Sequence, residues 1–139
     1  MRFWDSSAIV PLLAQQPATT QSERWLDQDG QLVVWTFSET EIRSALWRLL
    51  RERLLDEEQT LACERLSEKL LLSAHVIHHV EEVKKHARRL LRVHPLRAAD
   101  ALQLGAAITW ADGSNEAKVF HAFDLKLRDA ARREGFSVD

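Results

Sequence analysis

The sequence LRAADALQLGAA, residues 96–107, places one carboxylate in a helical segment that is apolar on nearly all sides. A helix that is apolar all round is usually buried. An aspartate is seldom buried in full unless it is paired or binds a metal, and in mid-helix it caps nothing. We therefore predict a buried helix over about residues 96–110, with Asp100 as a candidate cation ligand.

Short apolar segments alternate with helical patterns on both sides of this stretch. Alternation of this kind predicts a parallel sheet with helices on both faces, hence an α/β protein. The predicted strands cover residues 2–4, 31–36, 74–77 and 118–122, with an edge strand at 136–138. One predicted helix follows the first strand, and a second, short helix runs through Trp25. Three more cover residues 38–53, 56–72 and 80–93, and a last helix ends at Gly135. A polar loop is predicted at residues 112–115.

Three of the predicted helices begin with the pattern of a capping box. In this pattern a side chain at the helix start and a Glu or Gln three residues later bond to each other's backbone. The three pairs are Thr20 with Glu23, Ser38 with Glu41, and Asp56 with Gln59.

Length and composition fit one soluble globular domain over residues 1–139. The chain is 45% hydrophobic and 29% charged, which argues against disorder. Its net charge of -2 gives no overall attraction to nucleic acid, so RNA binding would need a local basic patch. The single cysteine, Cys63, excludes an internal disulfide and fits the cytoplasm. We expect neither a signal peptide nor a membrane span.

Four acids far apart in the sequence are predicted to converge at one edge of the sheet. Asp5 and Asp124 follow predicted strands, and the carboxyl ends of parallel strands form the functional crevice of such folds. Glu41 lies in the first turn of the helix after the second strand, and Asp100 is the fourth acid. Carboxylate oxygens without His or Cys suit Mg²⁺ or Mn²⁺, and such a site hydrolyses phosphodiesters through metal-activated water.

Each of three acids also has a purely structural explanation. Asp5 and Asp124 are suited to capping the helices that follow them. Glu41 is suited to pairing with Ser38 in the capping box. For Asp100 the sequence pattern offers no such structural explanation.

The acids also lie in motifs that resemble a known family. Residues 5–8 (DSSA), 41–46 (EIRSAL), 96–104 (LRAADALQL) and 123–127 (FDLKL) look like the four acidic motifs of PIN-domain ribonucleases, with VapC-type toxins as the best match. The resemblance extends over essentially the whole chain. It implies a three-layer α/β/α fold with a parallel sheet of four to five short strands, Mg²⁺- or Mn²⁺-dependent endoribonuclease activity, a cognate antitoxin and a homodimer.

By this resemblance the catalytic and metal-binding residues are the four acids, with Ser6 as a supporting polar residue. Whether Glu41 binds the metal directly or orients the water stays open. One position departs from the family pattern, because Ala122 stands where such proteins usually have Thr or Ser. A hydroxyl near the fourth acid, Asp124, is therefore missing.

Two surfaces are candidates for binding partners. Lys84, Arg88 and Arg92 recur at intervals of four on one helix, and they would form either an RNA-binding face or an ordinary solvated face. Trp47 lies off the apolar stripe of its own helix. With the nearby leucines it forms either a surface for the antitoxin or additional core; these leucines are Leu54, Leu55, Leu61, Leu66 and Leu70.

The histidines are weaker candidates for chemistry. His75, His78, His79 and His94 lack the spacing of a zinc motif. His121 is expected in the core or on the surface. We therefore predict a metal-dependent endoribonuclease, with a DNA-cleaving enzyme and a PIN-fold interaction protein without turnover as alternatives.

Overall fold

The computed structural model describes residues 1–113 and 117–139, in which four short strands alternate with seven helices. The strands are β1 (Arg2–Trp4), β2 (Leu32–Trp35), β3 (His75–Ile77) and β4 (Phe120–His121). The helices are α1 (Ser6–Leu13), α2 (Thr19–Gln28), α3 (Ser38–Arg51), α4 (Glu57–Leu72), α5 (Val80–Val93), α6 (Ala98–Asp112) and α7 (Leu125–Arg133).

The strands form one parallel sheet in the order β3-β2-β1-β4. β1 lies in the middle, with Phe3 in register with Val33 of β2 and with Phe120 of β4. The predicted edge strand at 136–138 is reduced to a single parallel bridge between Val119 and Ser137. The parallel α/β architecture is confirmed, and the carboxyl ends of β1, β2 and β4 lie along one edge.

Two hydrophobic clusters lie on opposite faces of the sheet because successive strand residues point to opposite sides. Phe3 and Val33 face the cluster formed with α5, α6 and α7. Trp4 and Val34 face the cluster formed with α1 to α4. The helices thus make two outer layers around the sheet, as the three-layer prediction requires.

The helices α5 and α6 pack closely because α6 presents a glycine to its neighbour. A Cβ atom built on Gly105 would lie 2.8 Å from the carbonyl oxygen of Val83 and 3.3 Å from the amide nitrogen of Ala87. This close backbone approach packs α6 directly against α5 within the same outer layer.

The starts of three helices differ from their predictions. The capping box of Asp56 and Gln59 is present at the start of α4. The other two are absent: α2 follows Ala18 and α3 follows Phe37, and neither N-cap residue makes a side-chain bond. Helix α6 begins two residues later than predicted, because Arg97 has an extended conformation with φ -78° and ψ 164°. In the predicted polar loop, Asp112 ends α6 and Gly113 follows it, whereas Ser114 and Asn115 lie outside the described residues.

Candidate metal centre

The four acids lie at the starts of four different helices. Asp5 and Asp124 are the N-cap residues of α1 and α7, directly after β1 and shortly after β4. Glu41 lies in the first turn of α3, and Asp100 lies in the first turn of α6. The mid-helix position predicted for Asp100 is therefore wrong, because the extended Arg97 delays the helix. A carboxylate in the first turn of a helix interacts favourably with the helix dipole, so the position of Asp100 also has a structural explanation.

Asp5 is the most deeply buried of these acids, with 5% of its surface exposed. Burial raises the pKa of its carboxyl to about 6; two hydrogen bonds from Ser7 oppose this effect, and the negative charges of Glu41 and Asp100 add to it. The bonds from Ser7 come from the backbone N–H at 3.0 Å and the hydroxyl at 2.5 Å. Three of the predicted acids therefore act on one another electrostatically.

Glu41 is held by residues from two other helices. Its Oε2 atom accepts a hydrogen bond from the Ser6 hydroxyl at 2.7 Å and one from Nε2 of Gln103 at 3.1 Å. The predicted capping pair with Ser38 is thus wrong, because tertiary partners hold both side chains. Ser38 is buried and contacts Gln103 instead.

Asp124 lines the same cleft as Asp100. Its Oδ1 atom accepts the backbone N–H of Leu127 at 2.9 Å, so it does cap α7 as the structural explanation requires. Arg97 and Lys126 line the same cleft. Asp100 is thus common to two groups of acids, one with Asp5 and Glu41 and one with Asp124.

The donor set suits a divalent cation by its chemistry. The four acids supply only oxygen, as Mg²⁺ and Mn²⁺ prefer. Burial is the main cause of the raised pKa of Asp5, and a cation would neutralise the charges of Glu41 and Asp100 that add to it. As placed in residues 1–113 and 117–139, no three carboxylate, imidazole or thiol side chains stand close enough together to enclose a metal ion. The assignment of these four acids as metal ligands therefore stays a prediction.

Three residues of this site were missed from the sequence: Ser7, Ser38 and Gln103. The signal for Gln103 was its position three residues after Asp100 in an apolar helix. The Ser7 hydroxyl accepts the backbone N–H of Phe123, the residue after Ala122, at 3.1 Å and donates to Asp5. Ala122 itself is fully buried.

Several residues that the sequence suggested as partner surface or metal ligands contact other side chains of the same chain. Trp47 donates its indole N–H to Glu64 at 2.8 Å, and Leu55 and Leu70 pack partly against the core. These three residues are half-buried, whereas Leu54, Leu61 and Leu66 are exposed. His94 bonds to Glu134 at 2.8 Å.

His121 lies in the core. It is fully buried and stacks on Trp25 with ring centroids 4.3 Å apart. Burial lowers the pKa of its imidazole to about 3, so the ring is neutral at physiological pH.

Among the described residues, no helix combines the length and apolar character needed to cross a membrane.

Comparison with known proteins gives one consistent family. The sequence model of the PIN domain matches residues 2–133. Two curated relatives from Mycobacterium tuberculosis are ribonuclease VapC45 (strain CDC 1551 / Oshkosh) and ribonuclease VapC49 (strain ATCC 25618 / H37Rv). Each is 27% identical over 136 residues, covering 98% of this chain and 92% of the relative.

Two solved structures have the same fold. FitAcB from Neisseria gonorrhoeae superposes with a TM-score of 0.68 at 17% identity, over 99% of this chain and 96% of that one. FitAB bound to an IR36 DNA fragment superposes with a TM-score of 0.67 at 17% identity, over 100% of this chain and 94% of that one.

Proposed function

The chain belongs to the PIN-domain family, and from this premise we propose that it is a divalent-metal-dependent endoribonuclease, the toxin of a VapBC-type toxin–antitoxin pair. Two relatives support a VapC-like nuclease, because both are named ribonuclease VapC and match almost the whole chain. RNA as substrate, dependence on Mg²⁺ or Mn²⁺, and the roles of individual residues are our proposal.

The observation that carries the proposal is the mutual influence of Asp5, Glu41 and Asp100. Burial is the main cause of the raised pKa of Asp5, and the negative charges of Glu41 and Asp100, which come from two other helices, raise it further. A fold that brings like charges together is destabilised unless a cation or proton neutralises them. Asp124, which lines the same cleft as Asp100, completes an oxygen-rich set at the sheet edge.

In this proposal Asp5, Asp100 and Asp124 hold the cation, and Glu41 contributes its Oε1 atom as a ligand or as the group that orients water. When bound, a divalent cation supplies a water of lowered pKa and positive charge opposite the phosphate. Arg97 and Lys126 at the cleft rim are placed to bind the phosphates next to the one that is cleaved. No side-chain nucleophile takes part.

The partners of the proposed toxin are an antitoxin and a second copy of the chain. The exposed Leu54, Leu61 and Leu66 support the antitoxin assignment because they form apolar surface on and next to α4. Light scattering of the purified protein tests the dimer, which a monomeric mass at micromolar concentration would contradict.

The activity is tested by incubating chelator-treated protein with single-stranded RNA, structured RNA and DNA while Mg²⁺ or Mn²⁺ is titrated. Wild type is compared with Asp100→Asn and with Asp27→Asn, a control that changes an exposed acid on α2. We expect cleavage of RNA that requires metal, is lost in Asp100→Asn and persists in Asp27→Asn.

Other outcomes overturn specific parts of the proposal. Undiminished cleavage by Asp100→Asn, or by wild type without metal, contradicts the mechanism. Cleavage of DNA in preference to RNA supports the DNA-nuclease alternative, and cleavage of neither supports the interaction protein.

A further inference from the structure

Gln103 is a fully buried polar side chain in a helix that otherwise presents apolar residues to the core. Its neighbours Ala101, Leu104 and Ala106 are also fully buried. Burying an amide in such surroundings is costly unless its groups are hydrogen-bonded. A leucine would fill this position without that requirement, so the identity of the side chain needs a specific explanation.

The amide of Gln103 links α6 to α3. Its Nε2 atom donates to the Ser38 hydroxyl oxygen at 3.1 Å, and Ser38 is itself fully buried. The same Nε2 atom donates to Oε2 of Glu41 at 3.1 Å. Because an ionised carboxylate only accepts hydrogen bonds, it requires the amide to present nitrogen and not oxygen.

Two hydrogen-bond donors converge on a single carboxylate oxygen of Glu41. Ser6 donates to Oε2 at 2.7 Å from the opposite helix, α1, so Oε2 is held between two side chains. This arrangement restrains rotation of the carboxylate and presents Oε1 for a further contact. Glu41 itself lies close enough to Asp5 to raise the pKa of that carboxyl.

We propose that Gln103, supported by Ser38, is a positioning residue that fixes the Glu41 carboxylate for binding of the divalent cation. The inference rests on the proposed function, because it assigns Gln103 a role toward the same cation site. Residues that orient metal ligands in this way typically change metal affinity or activity by about 10- to 100-fold when they are replaced.

The test measures cation binding in the absence of RNA. Mn²⁺ is titrated into the metal-free full chain, and the concentration that produces half of the rise in melting temperature is determined. Gln103→Met keeps an unbranched side chain of similar size but removes the donor. We expect its half-saturating Mn²⁺ concentration to rise by about 10-fold or more.

A matched control separates positioning from simple loss of stability. Ser67→Ala removes a buried hydroxyl on α4 that bonds to the Glu64 carbonyl at 2.7 Å, outside the acid cluster. We expect this variant to melt at a lower temperature without metal but to retain the wild-type half-saturating concentration.

A second variant keeps the test decisive if Gln103→Met folds poorly. Ser38→Ala leaves the bond from Gln103 to Glu41 in place but removes the support behind the amide, so we expect a weaker shift in the same direction. Half-saturating concentrations within twofold of wild type in the folded variants would overturn the inference. A wild type that gains no stability from Mn²⁺ overturns the proposed metal dependence, and the inference with it.

Discussion

The guanidinium of Arg97 lies 3.5 Å from the carboxylate of Asp100, measured from Nε to Oδ2. The two side chains differ in exposure, since 85% of the Arg97 side chain is exposed but only 18% of that of Asp100. An exposed ion pair of this kind contributes little to stability, about 0–1 kcal/mol. In the proposed mechanism Arg97 can therefore leave Asp100 at little energetic cost when the cation and an RNA phosphate bind.

Replacing Arg97 with Gln is expected to change metal and RNA binding in opposite directions. Without the guanidinium, Asp100 no longer has to break an ion pair in order to bind Mn²⁺. The half-saturating Mn²⁺ concentration therefore falls by about two- to fivefold, which corresponds to the free energy of an exposed ion pair. The KM for single-stranded RNA rises because a phosphate contact is lost. Arg133→Gln, which breaks the exposed pair with Asp129, serves as the control and leaves both values unchanged. Equal values for Arg97→Gln and wild type would contradict this role.

The raised pKa of Asp5 predicts that ionisation of this carboxyl lowers the free energy of unfolding of the metal-free protein. Its carboxyl has a pKa of about 6 in the folded chain and 3.8 as its ordinary value, so the folded state binds the extra proton between these values. Unfolding free energy therefore decreases as pH rises from about 4 to 6, and the full cost is present above pH 6. Asp5→Asn removes it, which stabilises the metal-free protein at pH 7.5 by about 3 kcal/mol at most.

Urea denaturation of wild type and Asp5→Asn at pH 4 and pH 7.5 measures this difference. Titrating groups that do not interact with Asp5 are common to both proteins and cancel in the comparison. We expect the stabilisation at pH 7.5 to disappear at pH 4. A difference of the same size at both pH values would mean that the charge of Asp5 is not its cause.

Charge reversal on α5 tests whether its exposed arginines bind RNA. Lys84 and Lys85 pair with Glu81 and Glu82 on their own helix, whereas Arg88 and Arg92 are exposed. The variant R88E/R92E is expected to weaken RNA binding more at 50 mM than at 300 mM salt, because phosphate contacts are screened by salt.

The control for this variant is R24E/R48E, which makes the same change in net charge at exposed positions on α2 and α3. Binding is measured by fluorescence anisotropy with a labelled single-stranded RNA. Equal weakening by the two double variants would assign the effect to net charge, and no weakening would leave α5 as a solvated face.

The exposed leucines of α4 are expected to bind the antitoxin. Leu61 is 38% exposed and Leu66 is 47% exposed. Replacing both with Glu places charges in an apolar interface, so co-purification with the antitoxin encoded beside this chain should be lost while metal-dependent cleavage persists. Leu91→Glu, at a position 47% exposed on α5, is the control and should retain the complex. A complex that survives L61E/L66E would place the antitoxin elsewhere.

Local sequence patterns predicted the features that depend on local interactions. Helix α5 has the predicted bounds, and the capping box of Asp56 and Gln59 is present, because capping joins residues three apart. The alternation of apolar strands with helices was likewise sufficient for the parallel α/β fold. The same local rule failed at Ser38 and Glu41, whose side chains turn to partners in α1 and α6.

Periodicity and turn chemistry act over a few residues, so they were sufficient to predict the order of strands and helices and the position of Asp5 and Asp124 after strands. The bonds that Ser6 and Gln103 donate to Glu41 join residues 35 and 62 positions apart, and they became visible in the folded chain alone. The tertiary structure also decided that Asp100 begins its helix beside Arg97 instead of lying in a buried middle turn. These contacts arise from packing α1, α3 and α6 at one edge of the sheet, and no spacing along the chain encodes that geometry.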